Sequence, residues 1–220
     1  MGTIVITGAN RGIGLSLAQQ LNARGDSIIA VVRNSSPELD ALGVRVEAGI
    51  DVSEAGDVAE LARRLEGTAI DVLINNAGIL RSTPLDDLDF EAIEAQFKVN
   101  SVGPLRVTHA LRGNLGAGSK VGIVTSRMGS LSDNTSGGAY GYRMSKAAVN
   151  MAGVSLAHDL KEAGVAVVLL HPGWVRTDMT GGNGLIDAEA SARGMIARLD
   201  QLDLESTGTF WHTNGEQLSW

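Results

Sequence analysis

Cysteine is absent from the chain, and with it go disulfides, thiolate metal ligands and thiol nucleophiles. The four histidines, His109, His158, His171 and His212, are too scattered for an H-x3-H or HExxH pair. A metal site is therefore not expected. Positive charge is scarce: 18 Lys+Arg face 25 Asp+Glu, for a formal net charge of −7. A nucleic-acid partner is not expected, and any anionic ligand must be held by a local site rather than by the overall field. Long apolar runs are missing as well. The longest, residues 165–170, is far too short to span a bilayer. The opening "MGTIVITGAN" has no basic n-region and carries Ile6 where N-myristoylation prefers Ser or Thr. These absences lead to the expectation of a cytoplasmic protein with no membrane partner.

What is present reads as one globular domain over residues 1–220, with 44% apolar residues for its core. Strand candidates lie at residues 3–7, 27–32, 44–48, 71–75, 120–126, 166–171 and 208–212. Helical patterns fall between them. The first begins near Gly12, repeats Ile13, Leu17 and Leu21, and stops at Gly25. The others cover 54–65, with Asp51 and Ser53 as candidate caps, then 87–115, 142–163 and 188–199. Continuous apolar strands separated by helices are buried on both faces. The pattern predicts a single doubly wound α/β domain of Rossmann type, a parallel seven-stranded sheet flanked by helices.

The first strand runs into "TGANRGIG", where Gly8, Gly12 and Gly14 open the first helix. Glycine lets a phosphate approach the backbone, and the helix start offers unpaired N–H groups with the positive end of its dipole. The second strand ends in "AVVRNSS". Arg33 stands where a carboxylate would bond a ribose 2′-hydroxyl, and Asn34, Ser35 and Ser36 follow as phosphate donors. Arg11 adds a second cation. Two arginines converging on one pocket of an acidic chain predict NADP(H) rather than NAD(H).

Both tyrosines and one of the four lysines fall within "GGAYGYRMSKAAVN". Tyr142 and Lys146 are four apart and share a helix face, whereas Tyr140 does not. Free phenol and ammonium titrate near ~10 and ~10.4, out of reach of neutral-pH proton transfer. An ammonium ~4 Å from the phenol, at an effective dielectric of ~20, couples to it by about 4 kcal/mol. The expectation is that Lys146 pulls the Tyr142 phenol toward neutrality, fitting it as a general acid or base for a carbonyl or alcohol. Asn100 precedes Pro104 by four residues, so its carbonyl loses the usual N–H partner and must find another.

On these residues the chain resembles the short-chain dehydrogenase/reductases over nearly its full length. The matching segments are "TGANRGIG", Asp51-Val52, "NNAG" at 75–78, Asn100 in "KVNSVGP", Ser126 in "IVTSRMGS", "YRMSK" and "HPGWVRTDM". The ending "GTFWHTNGEQLSW" and the short length look most like the C-factor and sniffer-type carbonyl reductase branch. The resemblance implies Asn100, Ser126, Tyr142 and Lys146 as the catalytic set. It implies Gly8, Asn10, Arg11, Gly12, Ile13, Gly14, Arg33 and Asn34 around the phosphates. Asp51 and Val52 would meet adenine; Asn75, Ala77 and Gly78 the adenosine ribose. Lys146 and Tyr142 would reach the nicotinamide ribose, with Pro172, Gly173, Val175 and Thr177 around the nicotinamide. Sixteen residues separate Ser126 from Tyr142 where the family usually has thirteen, which leaves Ser130 a competitor for the Ser126 role.

The implied activity is NADPH-dependent reduction of a ketone or aldehyde, reversible to alcohol oxidation, on a small-molecule substrate. Residues after Trp174 are glycine-rich, and the resemblance implies that this segment closes over substrate. The helix from residue 142 is apolar on more than one face, as for a homodimer or homotetramer. A non-catalytic NADP(H) sensor on the same fold is the alternative. Ala139, seven before Lys146, argues against an enoyl reductase, and the short stretch after Trp174 against a sugar-nucleotide epimerase.

Overall fold

The computed structural model describes residues 1–82 and 84–220. Seven parallel strands run in the spatial order β3-β2-β1-β4-β5-β6-β7. They are β1 (Thr3–Thr7), β2 (Ser27–Val31), β3 (Arg45–Glu47), β4 (Ile70–Asn75), β5 (Leu115–Val124), β6 (Ala166–His171) and β7 (Thr209–His212). Successive side chains of a strand face opposite layers, and the core divides accordingly. Ile4, Ile6, Val168 and Leu170 pack with Leu17 and Leu21 of α1 (Gly12–Ala23) and Met195 and Leu199 of α7 (Ala188–Gln201). Val5, Leu73, Ile123 and Val167 pack on the other side. Their partners are Val58 and Leu61 of α3 (Ala55–Arg64), Val107 and Leu111 of α5 (Gly103–Leu111), and Val149 and Leu156 of α6 (Tyr140–Asp159).

Three segments depart from the sequence reading. The helix expected over 87–115 is broken into α4 (Phe90–Phe97), a π-helical stretch Lys98–Val102, α5 and two 3-10 turns. Pro104 withholds an N–H, and the widened turn lets the Gly103 N–H reach the Lys98 carbonyl instead. Leu115, expected in that helix, begins β5, whose pairing with β4 shifts register between Ile70 and Val72. A four-residue helix, α2 (Pro37–Asp40), was not anticipated; the Ser36 hydroxyl caps it by accepting from the Leu39 N–H. Asp51 and Ser53 do not cap α3. Its N-cap is Glu54, and the Asp51 carboxylate accepts from the Ser53 N–H and hydroxyl at 2.9 and 2.7 Å.

From β1 the chain moves to β2 on one side and from β4 to β5 on the other, so connections diverge at the C-terminal ends of these two neighbouring strands. That divergence opens a crevice.

Candidate active site

A cleft of about 420 Å³ lies over these strand ends. Gly8, Asn10, Arg11, Gly12, Ile13 and Gly14 form one wall, Arg33, Asn34, Asp51 and Val52 its far end. Ala77, Gly78, Tyr142, Lys146, Pro172 and Thr177 line the rest. The glycine turn is built for close approach. Gly8 has φ +68°, and a Cβ on Gly14 would collide with the Gly8 carbonyl and the Asn76 amide. The α1 N-cap, Arg11, lines the cleft and makes no side-chain cap. The first N–H groups of α1 are therefore left for an anion.

At the far end Arg33 lies 3.7 Å from the Asp51 carboxylate and is largely exposed. Burial pushes Asp51 up, but the Ser53 hydrogen bonds and the Arg33 charge outweigh it and hold the carboxyl below its usual range. Arg11 is 3.5 Å from Asp178 across the cleft mouth. Ser35 and Ser36 are spent elsewhere: Ser35 bonds Asp40, and Ser36 donates to the Asn10 carbonyl at 2.8 Å. The set of phosphate donors expected from "RNSS" narrows to Arg33 and Asn34.

Asn75 does not line the cleft. It is the last residue of β4, shares a face with Leu73, and donates to Thr108 of α5 at 3.0 Å. Asn76 takes the place beside the turn. Its amide donates to the Thr7 and Gly8 carbonyls at 3.0 and 3.1 Å, clamping the turn that α1 leaves. Gly173 and Val175 also stand back from the cleft. Gly173 has φ +84° and no room for a Cβ beside Ile186, and Val175 is buried in a bridge to the same residue.

Tyr142 and Lys146 meet at the inner end, 9% and 4% exposed. The ammonium lies 5.6 Å from the phenol ring centroid and donates to the Val124 carbonyl at 2.9 Å. The expected electrostatic lowering of the phenol is not what the structure gives. Burial pushes Tyr142 up to about 12, opposed by a hydrogen bond with Ser126. Burial likewise pushes Lys146 down to about 8. Taking both groups out of water favours their neutral forms. Ser126 also accepts from the Met128 N–H at 3.1 Å. Ser130 faces away, toward Ser132 and the Asp133 N–H.

Asn100 is buried in the π-helical stretch. Its side chain makes a two-way contact with the Ile79 backbone, both at 2.8 Å, and donates to the Ser145 hydroxyl at 3.0 Å. Ser145 in turn donates to the Tyr142 carbonyl at 2.8 Å. A Cβ on Gly78 would lie 3.3 Å from Asn100 Oδ1 and 3.8 Å from Lys146 Nζ, so these groups converge on one point. The sequence assigned no role to Ser145, and it offered Asn76 only as a turn-former beside Asn75 at the sheet edge. Strand parity carries the signal for Asn76: Leu73 and Asn75 point to the α5 layer, which turns the next residue toward the cleft.

A family model described as short chain dehydrogenase matches residues 2–184. The chain belongs to this family. A dehydrogenase from Rhodococcus sp. (strain AD45), named 1-hydroxy-2-glutathionyl-2-methyl-3-butene dehydrogenase, is 44% identical over 100% of both chains. Among solved structures, the carbonyl reductase Sniffer of D. melanogaster superposes with a TM-score of 0.92, at 30% identity and 100% coverage of both chains. An NADPH-bound carbonyl reductase from chicken fatty liver gives 0.87 at 28% identity, covering 100% of this chain and 99% of its own. The chain is thus an oxidoreductase-family protein with carbonyl reductases among its structural neighbours, as its motifs led one to expect.

Proposed function

We propose that the protein is an NADPH-dependent reductase of ketones or aldehydes, reversible to alcohol oxidation, with Tyr142 as the general acid/base. The observation that carries this reading is the buried Ser126–Tyr142–Lys146 constellation at the inner end of a phosphate-cradling cleft. The turn and the uncapped start of α1 fit a pyrophosphate, and Arg33 with Asn34 fits a ribose 2′-phosphate better than a bare 2′-hydroxyl. The NADPH-bound neighbour supports the same choice. NADPH, when bound, supplies the hydride.

The chain's own groups handle the proton. A substrate carbonyl oxygen accepts hydrogen bonds from the Ser126 and Tyr142 hydroxyls, and the Tyr142 O–H proton passes to that oxygen as it gains charge. A phenol kept neutral by burial is in the state that can donate. Lys146, protonated below about 8, stabilises the phenolate left behind. The Asn100 carbonyl, which Pro104 cannot satisfy, is our candidate for holding a water that returns a proton toward Lys146. Trp174 and Met179, both exposed, start the segment that closes over substrate and excludes water.

The Rhodococcus relative favours a substrate in which the reacting carbonyl or alcohol is carried on a larger polar conjugate. Assembly into a homodimer or homotetramer through α6 belongs to the same reading. An NADPH-oxidation screen across simple and conjugated carbonyls tests it. Turnover by the wild type, and loss of about a thousandfold or more in Tyr142→Phe with NADPH affinity kept, is the expected result. Near-full activity in that variant overturns the mechanism. NADPH binding with no turnover of any carbonyl points instead to the sensor alternative.

A further inference from the structure

The loop over residues 127–138 carries Ser126 at its root and is fastened from two sides. From α6, Arg143 donates to the Gly137 carbonyl at 3.2 Å and to the Ser136 hydroxyl at 2.9 Å. The second fastening comes from the far end of the chain. After β7 the backbone turns and returns antiparallel beside the edge strand. The His212 N–H donates to the Glu216 carbonyl and the Leu218 N–H to the Phe210 carbonyl, both at 2.8 Å. The return lays the Trp220 ring on Phe210, centroids 5.3 Å apart and planes at 20°. Phe210 is itself fully buried. With Trp220 so anchored, its carbonyl accepts from the Ser132 N–H at 3.1 Å, and the Ser219 and Ser132 hydroxyls lie 2.7 Å apart.

From Ser132 the contacts run inward. Its hydroxyl is 3.1 Å from that of Ser130, which accepts from the Asp133 N–H. The Asp133 carboxylate pairs with Arg127 at 3.0 Å, and Arg127 follows Ser126. The root of the loop packs on α6, where a Cβ on Gly129 would lie 2.6 Å from the Lys146 backbone, but residues 131–138 are exposed, Leu131 at 81%. A loop with so few apolar contacts depends on such ties for a fixed position.

We propose that Trp220 is a positioning residue for the reductase reaction. By stacking on Phe210 it holds Ser132, and through Ser130 and the Arg127–Asp133 pair it fixes the loop that presents Ser126 to substrate. None of residues 126–138 or 210–220 lines the cleft, so the clasp takes no direct part in it. The role in turnover rests on the carbonyl-reductase reading above; the clasp does not.

The test compares wild type, Trp220→Ala, Trp220→Phe and the Ser132→Ala/Ser219→Ala double variant. It measures amide hydrogen exchange over residues 127–133, NADPH affinity, and kcat and KM on a carbonyl the wild type reduces. In Trp220→Ala, exchange in this loop should quicken, NADPH affinity should hold within about twofold, and kcat/KM should fall about ten- to hundredfold, as for a group shifted by an ångström or so. Trp220→Phe should restore most of the loss, and the double variant should move the same quantities less. Unchanged loop exchange in Trp220→Ala overturns the clasp. Faster exchange with unchanged kcat/KM, or NADPH affinity falling in step with kcat/KM, overturns the positioning role. If the wild type reduces no carbonyl, the functional reading and the role in turnover fall together, and the exchange comparison still decides the clasp. If Trp220→Ala does not fold, the double variant, whose stack is intact, is judged by the same outcomes.

Discussion

Burial acts on Lys146 and Tyr142 alike by favouring the uncharged form, and this has a signature in stability. The Lys146 amine falls from 10.5 to about 8 on folding. Between about 8 and 10.5 the unfolded chain holds the proton that the folded one has released, so stability rises with pH across that window. Tyr142 rises from 10.0 to about 12; there the folded chain holds the extra proton, and stability falls as pH climbs from about 10 to 12. Lys146→Met should remove the rise above pH 8 and, near neutrality, stabilise the protein by up to about 3 kcal/mol while abolishing turnover. Urea melts at pH 7 and 9.5 check this, and a variant no more stable than wild type at pH 7 counts against the buried-charge cost. Arg33 is the residue-scale test of the cofactor. Arg33→Asp sets a second carboxylate beside Asp51 and removes the cation from the rim. NADPH affinity should drop about ten- to hundredfold with NADH affinity little changed; equal losses for both in fluorescence titrations dismiss the 2′-phosphate assignment.

The glycine turn is an element held from behind, and the two asparagines after β4 have separable jobs. Asn76→Ala removes both bonds that clamp the Thr7 and Gly8 carbonyls and should weaken NADPH binding about tenfold. Asn75→Ala removes a buried bond to Thr108 and should cost about 1–2 kcal/mol of stability with NADPH affinity kept. Calorimetry paired with cofactor titration distinguishes them, and a reversed pattern contradicts the strand parity seen here. This pair also marks the limit of what the sequence disclosed. Strands with unbroken aliphatic runs, such as 166–171, were legible with their boundaries because such a run has no stable place but the middle of a sheet. The glycine turn and the Tyr142–Lys146 pair were legible because rare residue types sat at fixed spacing. The break at Lys98–Val102 was half legible: Pro104 marked the bond lost at Asn100, but the π-helical form of the turn and the grip of Asn100 on Ile79, distant in sequence, were hidden. The start of β5 was hidden for a related reason: "LGAGS" has no strand pattern and is recruited by pairing with β4. The phenol's response was misjudged because spacing gives the distance between charges but not how far water is excluded from both.

At the scale of the whole molecule, net charge and apolar surface oppose each other. A charge of −7 repels identical chains. Yet α6 exposes Met144 and Met151, the latter at 69%, and Phe97 of α4 and Leu105 of α5 are exposed on the helices packed against it. Met144, Ala148 and Met151 recur every three or four residues, one stripe along the helix. An apolar stripe flanked by further apolar residues favours pairing with a second copy. Since the attraction is apolar and the repulsion electrostatic, association should tighten with added salt, which screens charge over about 8 Å at physiological ionic strength. Light scattering should give at least twice the 22.9 kDa chain mass. Met151→Glu, which places a charge at the most exposed methionine of the stripe, should release monomers whose NADPH affinity is intact, because Met151 does not line the cleft. A wild type that stays monomeric at high salt and high concentration shows that the stripe faces something other than its own copy. A Met151→Glu protein that remains an oligomer shows that the chains meet through another face.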